Sequence, residues 1–215
     1  HYTTDEHLLL TLYHLHELKK MSFYKEIYSR LSHKVALHVS LLFHDIGKKG
    51  PKRHSIYGKE LTEKIFKRLP LSEEDQKLSL WLIENHLLMS DIAFKNDSQD
   101  PDVIASFTAI ANTQEKVNSL FLFTLCDIAA VGPNILNEWR ISLLRSLLFN
   151  TRDFLQRGLD TANYSSSVQE SLKKMVVEQA DNKMKAFIKK SIRYFPNLYW
   201  EAFSSKMILD IFNFY

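Results

Sequence analysis

One cysteine, five glycines and five prolines in 215 residues leave little to staple or interrupt this chain. The lone Cys126 excludes a disulfide framework and suits a reducing cytosol, so a cytoplasmic location is expected. Scarce Gly and Pro, beside plentiful Leu, Lys and Glu, exclude the dense turns of an all-β fold and favour helices with short connections. No apolar run approaches the roughly 20 residues that span a bilayer, and no signal peptide is visible, so no membrane partner is expected. A net charge of +3 suits a phosphate-bearing substrate but is too weak to indicate nucleic acid. The chain opens on His1 rather than Met, so it is expected to be a piece of a longer protein.

What is present is an ordinary globular composition, 45% apolar and 25% charged, in a chain long enough for one domain with a substantial core, or for one domain plus an appendage. Thr3-Thr4-Asp5-Glu6 spells a capping box, opening a helix to about Lys20 that carries His7 in its first turn. Further helices are expected over about residues 22–31 and 35–44, the second strongly apolar. A basic loop, Lys48 to Arg53, is broken by Gly50-Pro51. The next helix starts near His54-Ser55 and stops at Pro70. Ser72 caps one that reaches His86, and Asp100-Pro101 opens another. A helix from Thr113 passes through Asp127 and breaks at Gly132-Pro133. The last long helix of this part runs from about Asn137 to Arg157, with Gly158 at its C-terminal stop. Residues 161–167 read as a loop, dividing a domain over 1–160 from a C-terminal helical extension over 161–215. That extension holds an amphipathic helix over 168–190, with Leu172, Met175, Val176, Met184 and Phe187 on one face. Its aromatic end runs from Tyr194 and Phe195 to Phe214 and Tyr215. No strand pattern and no internal repeat emerge, so the fold class is all-α.

The stretch with most chemistry is Leu41-Leu42-Phe43-His44-Asp45-Ile46-Gly47-Lys48. Neighbouring helical side chains point about 100° apart, so an adjacent His-Asp pair cannot lie wholly on one solvated face opposite an apolar core. At least one of the two enters the interior or a cleft, where a carboxylate needs a cation or hydrogen bonds. Two readings stand: a buried His-Asp hydrogen bond tying helices together, or two metal ligands, since imidazole and carboxylate both ligate divalent ions. Asp127 poses the same question, because it sits between Phe121-Leu122-Phe123-Thr124-Leu125-Cys126 and Ile128-Ala129-Ala130-Val131. His7, His54 and His86 also fall at helix ends or in apolar stretches. Each alone reads more simply as structural; together, on separate helices of one bundle, they can converge as bundle-core metal sites do. His14 shares a face with His7 and is the nearest decoy. His16, His33 and His38 read as core or surface residues, and Cys126 as packing.

The order His7, His44-Asp45, His54, His86, Asp127, all on helices, resembles the HD-domain metal-dependent phosphohydrolases. Gly47-Lys48 and His54-Ser55-x-x-Gly58 fit the same pattern. More specifically, HYTTDEHLLLTL, FHDIGKK, RHSIYGKEL, NHLLMSDIAFKND and LCDIAAVGPNILNEWRISLLRSLL resemble the HD domain of bacterial PII uridylyltransferase/uridylyl-removing enzymes, over about residues 1–158. The chain departs from that pattern at Gly50-Pro51-Lys52-Arg53, at Asn85 where His is common, and at Leu136 where Trp is expected.

The resemblance implies an HD-domain helical bundle and one or two divalent ions (Mn, Mg or Fe). His7, His44, Asp45 and Asp127 would hold the first ion, and Asp45 would bridge to a second on His54 and His86. Lys48 would sit near the phosphate with His44 and Asp45 in the catalytic centre, and Arg53 is a weaker candidate of that kind. The family reaction it implies is removal of UMP from a uridylylated tyrosine of the signal protein PII. Nucleotidyltransferase and ACT domains would lie elsewhere in the full-length chain. Two other readings remain: an HD phosphohydrolase acting on another nucleotide or cyclic dinucleotide, and a non-catalytic helical regulatory module.

Overall fold

The computed structural model describes residues 3–51, 53–180, 185 and 188. Those residues form helices joined by short turns, with no strand among them: α1 (Thr4–Leu18), α2 (Ser22–Ser29), α3 (Lys34–Phe43), α4 (His54–Phe66), α5 (Glu73–Asn85), α6 (Leu88–Lys95), α7 (Pro101–Ile110), α8 (Gln114–Val131) and α9 (Glu138–Gln179). The fold is all-α, as expected from the composition.

Helix starts follow the capping signals. Thr3 accepts from the Glu6 amide, and the Glu6 carboxylate returns to the Thr3 amide at 2.9 Å, completing the capping box. Ser72, Asp100 and Thr113 cap α5, α7 and α8 through their side chains, with Pro101 in the first turn of α7. Helix α6 is the element that the pattern did not single out. His44 and His86 close α3 and α5 rather than lying inside them.

Contacts divide the chain into two compact units, 1–155 and 156–215. In the first, α8 runs through the middle, touched by α1, α2, α3, α5 and α6. Every side chain from Val117 to Cys126 is buried, polar Asn118, Ser119 and Thr124 included. A helix apolar on nearly all sides has nowhere to lie but the centre. Leu15, Tyr24, Leu37, Leu41, Leu82 and Phe107 pack around it. Helices α3, α4 and α5 form a neighbouring group, with α3 and α4 each packed on α5.

The second unit is helical through Gln179, with Val176 and Ala180 buried. The expected stop at Gly158 and loop over 161–167 are both corrected here: α9 continues through them. The reason is that Gly costs a helix only about 1 kcal/mol relative to Ala, and no Pro follows to enforce the break. A Cβ at Gly158 would meet nothing within 4 Å, so no packing demand fixes that glycine as a terminus. Of the apolar face expected on Leu172, Met175, Val176, Met184 and Phe187, Met184 and Phe187 lie outside the described residues, as do the side chains of Leu172 and Met175 and the aromatic end from Tyr194 to Tyr215.

Candidate metal centre

Six side chains from five helices meet at one point, and each lies at or near a helix end. His7 is in the first turn of α1, His44 closes α3 with Asp45 next, His54 opens α4, His86 closes α5, and Asp127 lies in the last turns of α8. His44 is fully buried; His7, Asp45 and His86 are nearly so, while His54 and Asp127 are partly exposed.

Their donor atoms sort into two groups, each with all atoms within 4.8 Å of one another. One is His7, His44 and Asp127; the other is Asp45, His54 and His86. In the first, His7 Nε2 lies 2.9 Å and His44 Nε2 3.4 Å from Asp127 Oδ1. In the second, the Nε2 atoms of His54 and His86 are 3.2 Å apart. Asp45, a member of the second group, also lies close to the first: its Oδ2 is 3.4 Å from His44 Nε2 and 3.6 Å from His7 Nε2. Lys48 Nζ lies 2.5 Å from that same oxygen.

Helix ends also set the tautomers. The last carbonyls of a helix have no amide to accept from. His44 Nδ1 faces the Leu41 carbonyl at 3.0 Å, and His86 Nδ1 faces that of Ile83 at 2.7 Å, the same three-residue step back at both closing positions. His7 Nδ1 faces the Ala130 carbonyl, near the end of α8, at 3.4 Å. Only an N–H bonds a carbonyl, so in His44 and His86 Nδ1 carries the proton and Nε2 presents its lone pair to the interior, while His7 also donates through Nε2 to Asp127 Oδ1 at 2.9 Å. This is how metal-ligating histidines are oriented by their outer partners. His44 Nε2 is consequently buried with no hydrogen-bond partner. Lone pairs facing a carboxylate and other lone pairs in a mostly buried cluster fit a bound cation.

The protonation equilibria carry the same signature. The hydrogen bond to Asp127 raises the pKa of His7 against the opposing effect of burial. Burial and the neighbouring His44 push His86 down to about 4, keeping it neutral. Burial would raise Asp127, but the imidazoles of His44 and His7 outweigh it and hold the carboxyl well below the usual carboxylate range. Phe123 packs its ring against His44 and His86 at centroid distances of 5.2 and 6.0 Å, forming an apolar wall.

A close backbone crossing brings His54 to the pair. A Cβ at Gly47 would lie 2.3 Å from the His54 carbonyl oxygen and 2.5 Å from the Gly58 nitrogen. At Gly58 it would lie 3.2 Å from the His44 carbonyl oxygen. Two bare backbones thus let the His-Asp turn rest on the first turns of α4.

The decoys stay apart. His33 reaches Asp75 at 3.2 Å, His38 faces the Lys34 carbonyl at 2.8 Å, and His14 lines a cavity between α1 and α8. Cys126 is buried, its thiol pushed up by burial and then by Asp127, and it packs in the core. Arg53 is exposed at the start of α4. What the sequence did not reveal are the carbonyls of Leu41, Ile83 and Ala130, because every residue has one and only the fold decides which is left over.

An all-helical bundle with a buried His/Asp cluster of this order defines the class: the chain belongs to the HD domain family, whose model matches residues 4–128, and that family comprises metal-dependent phosphohydrolases. Within it, the chain is similar to proteins named bifunctional uridylyltransferase/uridylyl-removing enzyme. The one from Ruegeria pomeroyi is 34% identical over 209 residues, covering 94% of this chain and 23% of the relative. Those from Cereibacter sphaeroides and Azospirillum brasilense are 32% and 33% identical over 95% and 96% of this chain, and 23% of each relative. The chain therefore spans about a quarter of the length of the curated relatives it matches. Among the described residues no helix is long and apolar enough to cross a membrane.

Proposed function

We propose that this chain is a uridylyl-removing module: a cytoplasmic, divalent-metal-dependent phosphodiesterase that releases UMP from a uridylylated tyrosine of the nitrogen-signalling protein PII. The observation that carries the chemistry is the six-donor cluster with its orphaned His44 Nε2. Similarity to enzymes bearing the uridylyl-removing name over more than nine-tenths of the chain carries the substrate.

In this reading His7, His44 and Asp127 would hold one cation and Asp45, His54 and His86 a second, with Asp45 near both. Mn, Mg and Fe all suit imidazole and carboxylate donors to some degree. A divalent ion there would polarise the phosphoryl group and make a water nucleophilic at neutral pH. The chain's own residues do the rest. The three carbonyl-fixed imidazoles hold their donor atoms in place, and Phe123 keeps bulk water from the inner face. Lys48 presents a point charge at the mouth of the site, next to Asp45, where a phosphodiester would arrive. The departing tyrosine oxygen has a pKa near 10, so it needs only modest proton donation. Nucleotidyltransferase and ACT domains would occupy part of the remaining length seen in the relatives.

The test is to offer uridylylated PII and Mn²⁺ to the protein and to its Asp45→Ala variant, and to measure UMP. UMP release by wild type, lowered at least about 100-fold in the variant together with Mn²⁺ binding, is expected, beyond the 10–100-fold seen for outer-shell partners. Turnover of a simple phosphomonoester without UMP release would assign another phosphate ester. Purified protein that binds no divalent metal would sink the enzymatic reading.

A further inference from the structure

Among the described residues, Lys48 makes the one lysine or arginine ion pair to a carboxylate of the centre. Its ammonium lies on Oδ2 of Asp45, the carboxylate of the second donor group, and the same oxygen is 3.4 Å from His44 Nε2 and 3.6 Å from His7 Nε2. No lysine or arginine among the described residues pairs with Asp127. The two groups are therefore unequal: one carboxylate faces only imidazoles, the other already holds a cation.

We propose that Lys48 is an internal competitor for the second divalent ion. Its ammonium holds Asp45 until the ion takes that carboxylate, and the displaced ammonium then meets the phosphate of the substrate. This rests on the two-cation reading of the centre and adds to it an order of events and a coupling. Three observations support it. First, an ammonium and a divalent ion on one carboxylate repel each other, and in a water-poor site that repulsion is large. Second, the Lys48 side chain is 49% exposed while that of Asp45 is 4% exposed, so the lysine head can leave into solvent and the aspartate cannot. Third, Lys48 stands three residues after Asp45 in the same turn, so the displaced head stays within reach and remains an effective competitor. A phosphate that accepts the freed ammonium stabilises the displaced state and so strengthens the second ion; by linkage the ion strengthens phosphate binding equally.

The experiment is a Mn²⁺ titration of the 215-residue chain by calorimetry, for wild type, Lys48→Gln and Lys48→Arg, each checked for an unchanged circular dichroism spectrum. Wild type is expected to bind one Mn²⁺ tightly and one weakly. Lys48→Gln tightens the weak step about tenfold and leaves the tight step within about twofold, whereas Lys48→Arg keeps two unequal steps. Added UMP tightens the weak step in wild type and has little effect in Lys48→Gln. A single Mn²⁺ in wild type that becomes two in Lys48→Gln also supports the proposal. A weak step unchanged or loosened in Lys48→Gln, or one Mn²⁺ in both proteins, overturns the competition while leaving the metal centre standing. No Mn²⁺ bound by any of the three overturns the centre itself.

Discussion

His86 and His7 respond to the same crowded centre in opposite directions, and the pH dependence of the metal-stripped protein follows from that. His86 has its pKa pushed down to about 4 from an ordinary 6.5, so between these values the unfolded chain binds the extra proton and the folded one does not. Its contribution to stability is present above about 6.5 and is lost as pH falls toward 4. The raised pKa of His7 works the other way: its contribution is present below 6.5 and fades as pH rises through the folded value. Asp127, held low, loses its contribution only at still lower pH. Thermal melts in chelator are therefore expected to fall steeply from pH 6.5 toward 4.5, with a shallower fall in His86→Gln. Equal slopes in the two proteins would refute the assignment of that loss to His86. With Mn²⁺ present the dependence steepens, because ligating imidazoles must give up their protons.

Among elements, the crossing of the His-Asp turn with α4 is the most demanding contact. A methyl group at Gly47 would be driven into backbone atoms at His54 and Gly58, which cannot turn aside as a side chain can. Gly47→Ala is expected to cost at least the 1–3 kcal/mol typical of overpacking, read as a lower thermal midpoint. It should also part His54 from His86 and so weaken the Mn²⁺ step that depends on them. Gly58→Ala, at 3.2 Å from the His44 carbonyl oxygen, is expected to be milder in both measurements. A Gly47→Ala protein as stable as wild type would contradict the crossing. The helix that carries Asp127 is less sensitive at any one point, because burial on all sides distributes its hold over many side chains.

For the molecule as a whole, the cluster is a local cost that a bound ion offsets. Lone pairs and carboxylates gathered from five helices repel one another, so a cation that binds only the folded chain acts as a clamp across them. Saturating Mn²⁺ at about 100 times its dissociation constant should add about 2.7 kcal/mol, seen as a rise in thermal midpoint that chelator reverses. No rise would argue that the donors do not form a site. The first unit, 1–155, contains the whole centre and the full family match over 4–128. Metal stabilisation should accordingly persist in a protein shortened after residue 155, provided that fragment retains its helical circular dichroism.

Much of this was legible along the chain, for physical reasons. Capping boxes and N-caps are local hydrogen bonds, so Thr3, Ser72, Asp100 and Thr113 announce helix starts wherever the helices go. The apolar run around Phe121 announces a central helix, and an aspartate at its end announces a charge in need of a partner. Helix ends without strong punctuation were less legible, and Gly158 misled because one glycine's penalty is smaller than the continuity of a long helix. The sequence by itself determined an all-helical chain and which polar side chains had no place in its core. Only the tertiary structure decided that those side chains face one another in two linked groups. It also decided that leftover carbonyls aim the imidazoles and that Lys48 already sits on Asp45. Distances across helices depend on how the elements pack, and spacing along one chain does not encode them.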